Sequence, residues 1–126
     1  EVEVPLGVEL VDPDGYVYDA VVGLEALIEG ATVTCDQYDE DLLSWSRWPA
    51  ELYESQINPQ VTGEDGYYAF FVPSGLYRVR AEAEGYEPHT SPDIRVIREI
   101  VHYNVAMDPL TGYPVYLPLA MRAYTP

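Results

Sequence analysis

The sequence has no lysine. Six basic residues, all arginine, stand against 22 acids, and the formal net charge is −16. A nucleic-acid partner is excluded on that ground, because neutralising phosphates takes a basic footprint. Anionic membrane surfaces are disfavoured for the same reason. Cys35 is the only cysteine, so no intrachain disulfide can form. It alternates with Ala31 and Val33 and reads as a buried small hydrophobe. A reactive thiol needs positive charge nearby, and Asp36 has the wrong sign. His89 and His102 are the only histidines. His89 falls in a Pro-flanked loop and His102 on the outward face of a strand; neither has a partner at H-x-x-x-H spacing, so no zinc site is expected. No apolar run approaches the roughly 20 residues of a membrane helix, which leaves no membrane insertion to expect. No leader segment is visible; an exported form would have lost it or be an excerpt of a longer chain. There is neither a Gly-x-Ser-x-Gly elbow nor a phosphate-binding glycine loop.

What is present points to short strands. The length of 126 residues suits one domain with a real core. Twelve tyrosines set the chain apart from a disordered acidic tail, and 9 glycines with 11 prolines punctuate it at short intervals. The organising stretch is residues 62–88. Gly63-Glu64-Asp65-Gly66 makes a turn, residues 67–72 an aromatic strand, Pro73-Ser74-Gly75 a short reversal and residues 76–84 a second strand. The reading is a β-hairpin. In its second strand Tyr77, Val79, Ala81 and Ala83 share a dry face, and Arg78, Arg80, Glu82 and Glu84 a wet one.

Gly66-Tyr67-Tyr68 with Phe70, then Pro73-x-Gly75-x-Tyr77-Arg78-Val79, then Gly85-Tyr86 resembles the core pattern of carboxypeptidase regulatory-like domains, kin of the transthyretin-like and Cna B-type sandwiches. Gly15-Tyr16-Val17-Tyr18-Asp19, Gly30-Ala31-Thr32-Val33-Thr34 and Val101-His102-Tyr103-Asn104-Val105 resemble other strands of that family. The resemblance covers residues 12–108. It implies an all-β, seven-stranded Greek-key β-sandwich (prealbumin-like), with residues 1–11 and 109–126 as additional N- and C-terminal strand segments. It also implies a non-catalytic appendage of a secreted protein, so no enzyme is expected. Some Cna B-type domains carry a Lys–Asn crosslink, which a chain without lysine cannot form.

Residues 1–10 alternate, with Val2, Val4 and Leu6 on one face; Pro5 suits an edge. Residues 16–22 and 31–36 read as strands, and residues 23–30 as a loop or one helical turn. Residues 37–60 read as irregular, with a short helix starting near Ser46 or Pro49. Residues 93–98 and 100–107 read as strands, the latter with Val101, Tyr103, Val105 and Met107 inward. In residues 113–123, Val115, Leu117, Leu119 and Met121 line one face. Pro114 and Pro118 remove donors from a single side of that strand. Tyr116-Leu117-Pro118-Leu119, with Arg122, resembles a motif at the C-terminal ends of some secreted bacterial proteins.

Function is read from these features. Trp45, Trp48 and Tyr53 form a lid on the sandwich or an exposed ligand loop. Asp12-x-Asp14-Gly15 and Asp36-x-x-Asp39-Glu40-Asp41 offer hard oxygens, so calcium is the one cofactor to consider, although neither completes an EF-hand. Glu82 and Glu84 read as a solvated face. The expected function is an extracellular, cell-surface structural module. Its partners would be copies of itself or other surface proteins, joined when residues 1–10 or 113–123 dock on a neighbour rather than on their own sheets. The alternative is a carbohydrate-binding accessory module stacking sugars on its aromatic residues.

Overall fold

A computed structural model describes residues 13–110. The strands are β1 (Asp14–Asp19), β2 (Gly23–Leu27), β3 (Thr32–Asp39) and β4 (Ser44–Arg47), then, after a 3-10 turn at Ala50–Leu52, β5 (Gln60–Val61), β6 (Tyr67–Ala69), β7 (Gly75–Glu82), β8 (His89–Thr90), β9 (Ile94–Val96) and β10 (Val105–Met107). They form a two-sheet, all-β sandwich. One sheet centres on β1, which pairs antiparallel with β2 and β6 and parallel with β10. The other runs β4-β3-β7-β8, with β5 beside β3 and β9 beside β7.

Period-two patterning makes this arrangement. Tyr77, Val79 and Ala81 of β7 and Val33 and Cys35 of β3 are buried from one side; Val17, Tyr68, Phe70, Val105 and Met107 meet them from the other. Burying a side chain of this size contributes about 1.5–3 kcal/mol, which is why the odd–even pattern dictates which way each strand faces. Ala83, Val101 and Tyr103 pack on the margin of this core.

The structure corrects four readings of the sequence. Residues 67–84 are not a hairpin. β6 pairs with β1 and β7 with β3, so the Pro73-Ser74-Gly75 reversal is an arch between sheets. Pro73 has no N–H for a ladder, and the arch is tied down from its sides. The Tyr77 hydroxyl donates to the Pro73 carbonyl at 2.7 Å and the Ser74 hydroxyl to the Ile97 carbonyl at 2.6 Å. Residues 23–27 are strand β2, not a loop. The Asp19 carboxylate accepts the Val21 and Val22 N–H groups, and Gly23 takes φ +111, which turns the chain back along β1. Residues 37–60 are largely regular: β3 continues to Asp39 and β4 returns beside it, with Asp39 Oδ1 accepting the Asp41 and Leu42 N–H groups at the tip. The short helix near Pro49 is the 3-10 turn that follows. His89, read as part of a loop, lies in β8. The N- and C-terminal strand segments fall outside the described residues, apart from residues 109–110. There Pro109 bridges to Tyr86, and the Leu110 N–H reaches the Gly85 carbonyl.

Candidate functional site

Two clusters of polar side chains stand where sheet geometry puts them. The first is on the outer face of the β3–β7 pair. Asp36 lies directly across from Arg78 and one pair along from Arg80, and side chains at such positions touch. The Asp36 side chain is only 5% exposed. Arg80 grips it with Nε at 2.5 Å and Nη2 at 3.3 Å, and Arg78 reaches it with Nε at 3.4 Å. This contact holds the Arg80 guanidinium above its ordinary pKa, chiefly through the hydrogen bond to Asp36. Trp45, across from Tyr38 on β4, lies 4.4 Å beneath the Arg78 Cζ and packs against Tyr38 with ring centroids 5.2 Å apart. Arg47 is also across from Asp36, but its guanidinium turns away to Glu51 and the Trp48 and Asn58 carbonyls. Chemically this face is a pair of oriented guanidinium groups, of which Arg78 rests on an aromatic base.

The second cluster is a cleft of about 480 Å³ beside β1, lined by Asp14, Gly15, Tyr16, Asp65, Tyr67, His102 and Asn104. The Tyr67 hydroxyl donates to Asp14 Oδ2 and His102 Nδ1–H to Asp14 Oδ1, both at 2.6 Å. A carboxylate accepts only, so Nδ1 is the donor in this contact and Nε2 is the ring nitrogen left over. Asn104 Oδ1 accepts the Tyr16 N–H at 3.0 Å. The arrangement can orient an imidazole toward solvent. The alternation had put His102 on the outward face, and there it stands; its pairing with Asp14, 88 residues away, left no mark in the sequence.

The aromatic residues expected to act together are separated. Trp48 is 1% exposed, stacks on Tyr53 with centroids 5.1 Å apart and belongs to the core. Trp45 is on the opposite surface of the sheet, under Arg78. Asp36 is engaged by arginines and Asp39 by its own turn; Asp12 falls outside the described residues. Among the described residues, no three His, Cys, Asp or Glu side chains gather closely enough to hold a metal ion. Cys35 is buried, and burial together with Asp36 pushes its thiol well above the ordinary pKa. Val2, Val4, Leu6, Val115, Leu117, Leu119 and Met121 all fall outside the described residues. Among those that are described, no helix is long and apolar enough to cross a membrane.

No family model and no curated protein matches the chain. Solved structures share its fold. Catechol 1,2-dioxygenase from Pseudomonas arvilla C-1 superposes with a TM-score of 0.59 at 10% identity, over 88% of this chain and 56% of that one. The Acinetobacter radioresistens wild-type catechol 1,2-dioxygenase gives 0.58 at 12%, over 85% and 54%. The pilus adhesin RrgA of Streptococcus pneumoniae gives 0.55 at 15%, over 81% of this chain and 15% of that one. The chain thus spans about half the length of the dioxygenases it superposes on. At these identities the likeness establishes the β-sandwich fold. It also corrects one expectation: the fold was taken to imply no enzyme, yet enzymes are among the structures that share it.

Proposed function

We propose that this chain is a building block of an extracellular surface assembly, a carboxypeptidase regulatory-like sandwich whose terminal segments join it to neighbouring copies by strand addition. The observation that carries the reading is the pair of alternating segments flanking the sandwich. Val2, Val4 and Leu6 on one side, and Val115, Leu117, Leu119 and Met121 on the other, form apolar stripes in a chain of net charge −16. Such stripes gain by burial against a sheet. Pro114 and Pro118 remove donors from one side only, so a strand of residues 113–123 can join a ladder along its other edge and stop the sheet there. A head-to-tail contact of this kind does not close, and it builds filaments. The pilus adhesin shares the fold, which supports a surface setting.

The carbohydrate-binding reading has less support. One face of Trp45 is under Arg78 and Trp48 is buried, so Trp45, Trp48 and Tyr53 present no common platform for a sugar ring.

The test is removal of each segment in turn. Full-length chain should form filaments or oligomers visible by electron microscopy and sedimentation, and loss of residues 1–10 or 111–126 should leave monomers. Assemblies that persist without either segment refute the proposal.

A further inference from the structure

We infer that the outer face of the β3–β7 pair is a docking site for a carboxylate of a second copy of this chain. The inference rests on the assembly reading and names a contact that the terminal segments do not supply. Two copies each carry −16 and repel one another. An intimate contact between them needs a place where an acid of one meets a cation of the other. The chain has 22 acids and six arginines from which to build it.

Arg78 and Arg80 provide that place. Asp36 engages one side of each guanidinium, through Nε of Arg78 and through Nε and Nη2 of Arg80. Among the described residues neither Nη of Arg78, nor Nη1 of Arg80, has a hydrogen-bond partner. The Arg78 side chain is 31% exposed and Arg80 41%, so these N–H groups are within reach of solvent. Glu82, the next outward residue of β7, is exposed and forms no salt bridge among the described residues, though its charge acts on Arg80. Glu82 lies on the Arg80 side, so Arg78, which shares Asp36 with Arg80, is the guanidinium whose charge is less fully balanced.

The occupant follows from the shape and stiffness of the donors. A guanidinium presents paired N–H groups that match the two oxygens of a carboxylate. Arg78 is already held between Asp36 and the Trp45 ring, so little side-chain freedom remains to be lost on binding. Exposed carboxylates are plentiful on a neighbouring copy; Glu40, Asp41, Glu64 and Asp65 all lie in exposed turns.

Sedimentation velocity on the full chain tests this, with unaltered protein, Arg78→Lys and Arg78→Met compared by melting temperature. Salt screens the repulsion between the copies as well as the ion pair, so the quantity read is the gap in association between unaltered protein and Arg78→Met, roughly tenfold or more at about 50 mM salt and smaller at about 500 mM. Arg78→Met keeps the apolar stem over Trp45 and should weaken association by that factor, while Arg78→Lys, which retains charge without the fork, should fall between. Trp45 emission should shift as copies associate and not in the Met variant. If Arg78→Met does not fold, the gap between unaltered protein and Arg78→Lys and the Trp45 signal of the unaltered chain decide. Association indifferent to Arg78 overturns the inference. So does a chain that stays monomeric while a free uronate shifts Trp45, because the occupant would then be a sugar acid. The two readings fail separately. Truncation that abolishes filaments with no effect of Arg78 sinks only the docking face. An Arg78 effect that survives truncation sinks only strand addition.

Discussion

The side chain of Asn58 lies against the backbone of Cys35 as a neighbouring strand would. Its Oδ1 accepts the Cys35 N–H at 3.0 Å, and its Nδ2 donates to the Cys35 carbonyl at 2.7 Å. The same Nδ2 donates to the Trp48 carbonyl at 2.9 Å, so one buried amide bridges β3 and the chain leaving β4. Replacing Asn58 with Ala leaves the buried Cys35 N–H without an acceptor, while the Cys35 carbonyl keeps the Trp48 N–H and the Trp48 carbonyl keeps the Ala50 N–H and Arg47, so the cost should be about 1–3 kcal/mol. Asn58→Asp should be worse, since it sets a carboxylate against two carbonyl oxygens. Urea unfolding measures both; an Asp variant as stable as the parent would contradict the bridge.

Side-chain oxygens also close the outer edge of β6. Even-numbered residues of this strand bond toward β1, so Tyr67, Ala69 and Phe71 point their N–H groups outward. Asp65 Oδ1, Gln60 Oε1 and Gln56 Oε1 accept these three, each at 3.1 Å. Gln60 Nε2 returns a bond to the Ala69 carbonyl at 2.5 Å. A capped edge resists pairing with another chain. The double variant Gln56→Ala, Gln60→Ala should lose about 1–3 kcal/mol. It should also scatter light and bind thioflavin at concentrations where the parent is clear. Unchanged stability and a monodisperse double variant would show that the caps are idle.

These two devices mark the limit of what the sequence revealed. The alternation at Tyr77, Val79 and Ala81, and at Val105 and Met107, identified the buried faces, because burial of every second residue leaves a local pattern. Asn58, Gln56 and Gln60 act through contacts with distant backbone. An amide in a polar stretch has no period to give it away. The arch at Pro73 was misread because two apolar strands joined by a short reversal look the same whether they pair with each other or face each other across a core. The Gly85-Tyr86 pair was noticed only as a motif. In the fold the Tyr86 hydroxyl donates to Asp19 at 2.8 Å, which fastens the loop after β7 to the end of β1. The arginine face was half legible: Arg78 and Arg80 were placed outward, but nothing local brought Asp36 or Trp45 to them.

Gly15 is required by a close crossing. A Cβ there would stand 2.0 Å from the Tyr103 carbonyl oxygen and 2.6 Å from its carbon, and both are backbone. The strands cannot separate cheaply, because the Tyr103 N–H donates to the Asp14 carbonyl at 2.8 Å. Gly15→Ala should therefore cost more than about 3 kcal/mol, beyond ordinary overpacking. Gly63→Ala, whose Cβ would meet nothing nearer than 3.8 Å, should stay within about 0.5 kcal/mol of the parent. Thermal melts of the pair give the contrast, and a Gly15→Ala chain that melts with the parent would deny the crossing.

His89 makes stability depend on pH in a definite direction. Its Nε2 lies 2.6 Å from the Tyr103 hydroxyl. Burial lowers its pKa in the fold, with Asp108 pulling the other way. In the unfolded chain it titrates near about pH 6.5. As pH falls, the unfolded state thus takes up this proton before the folded state does. The contribution of His89 is complete above about pH 6.5 and declines as pH drops from there through the folded value. Carboxylates titrate too, so the comparison is with His89→Gln, which keeps their background and removes the imidazole. The advantage in melting temperature of the parent over the variant should shrink between about pH 7.5 and about pH 5. An advantage that holds steady or grows on acidification would mean that His89 is not held neutral by its burial.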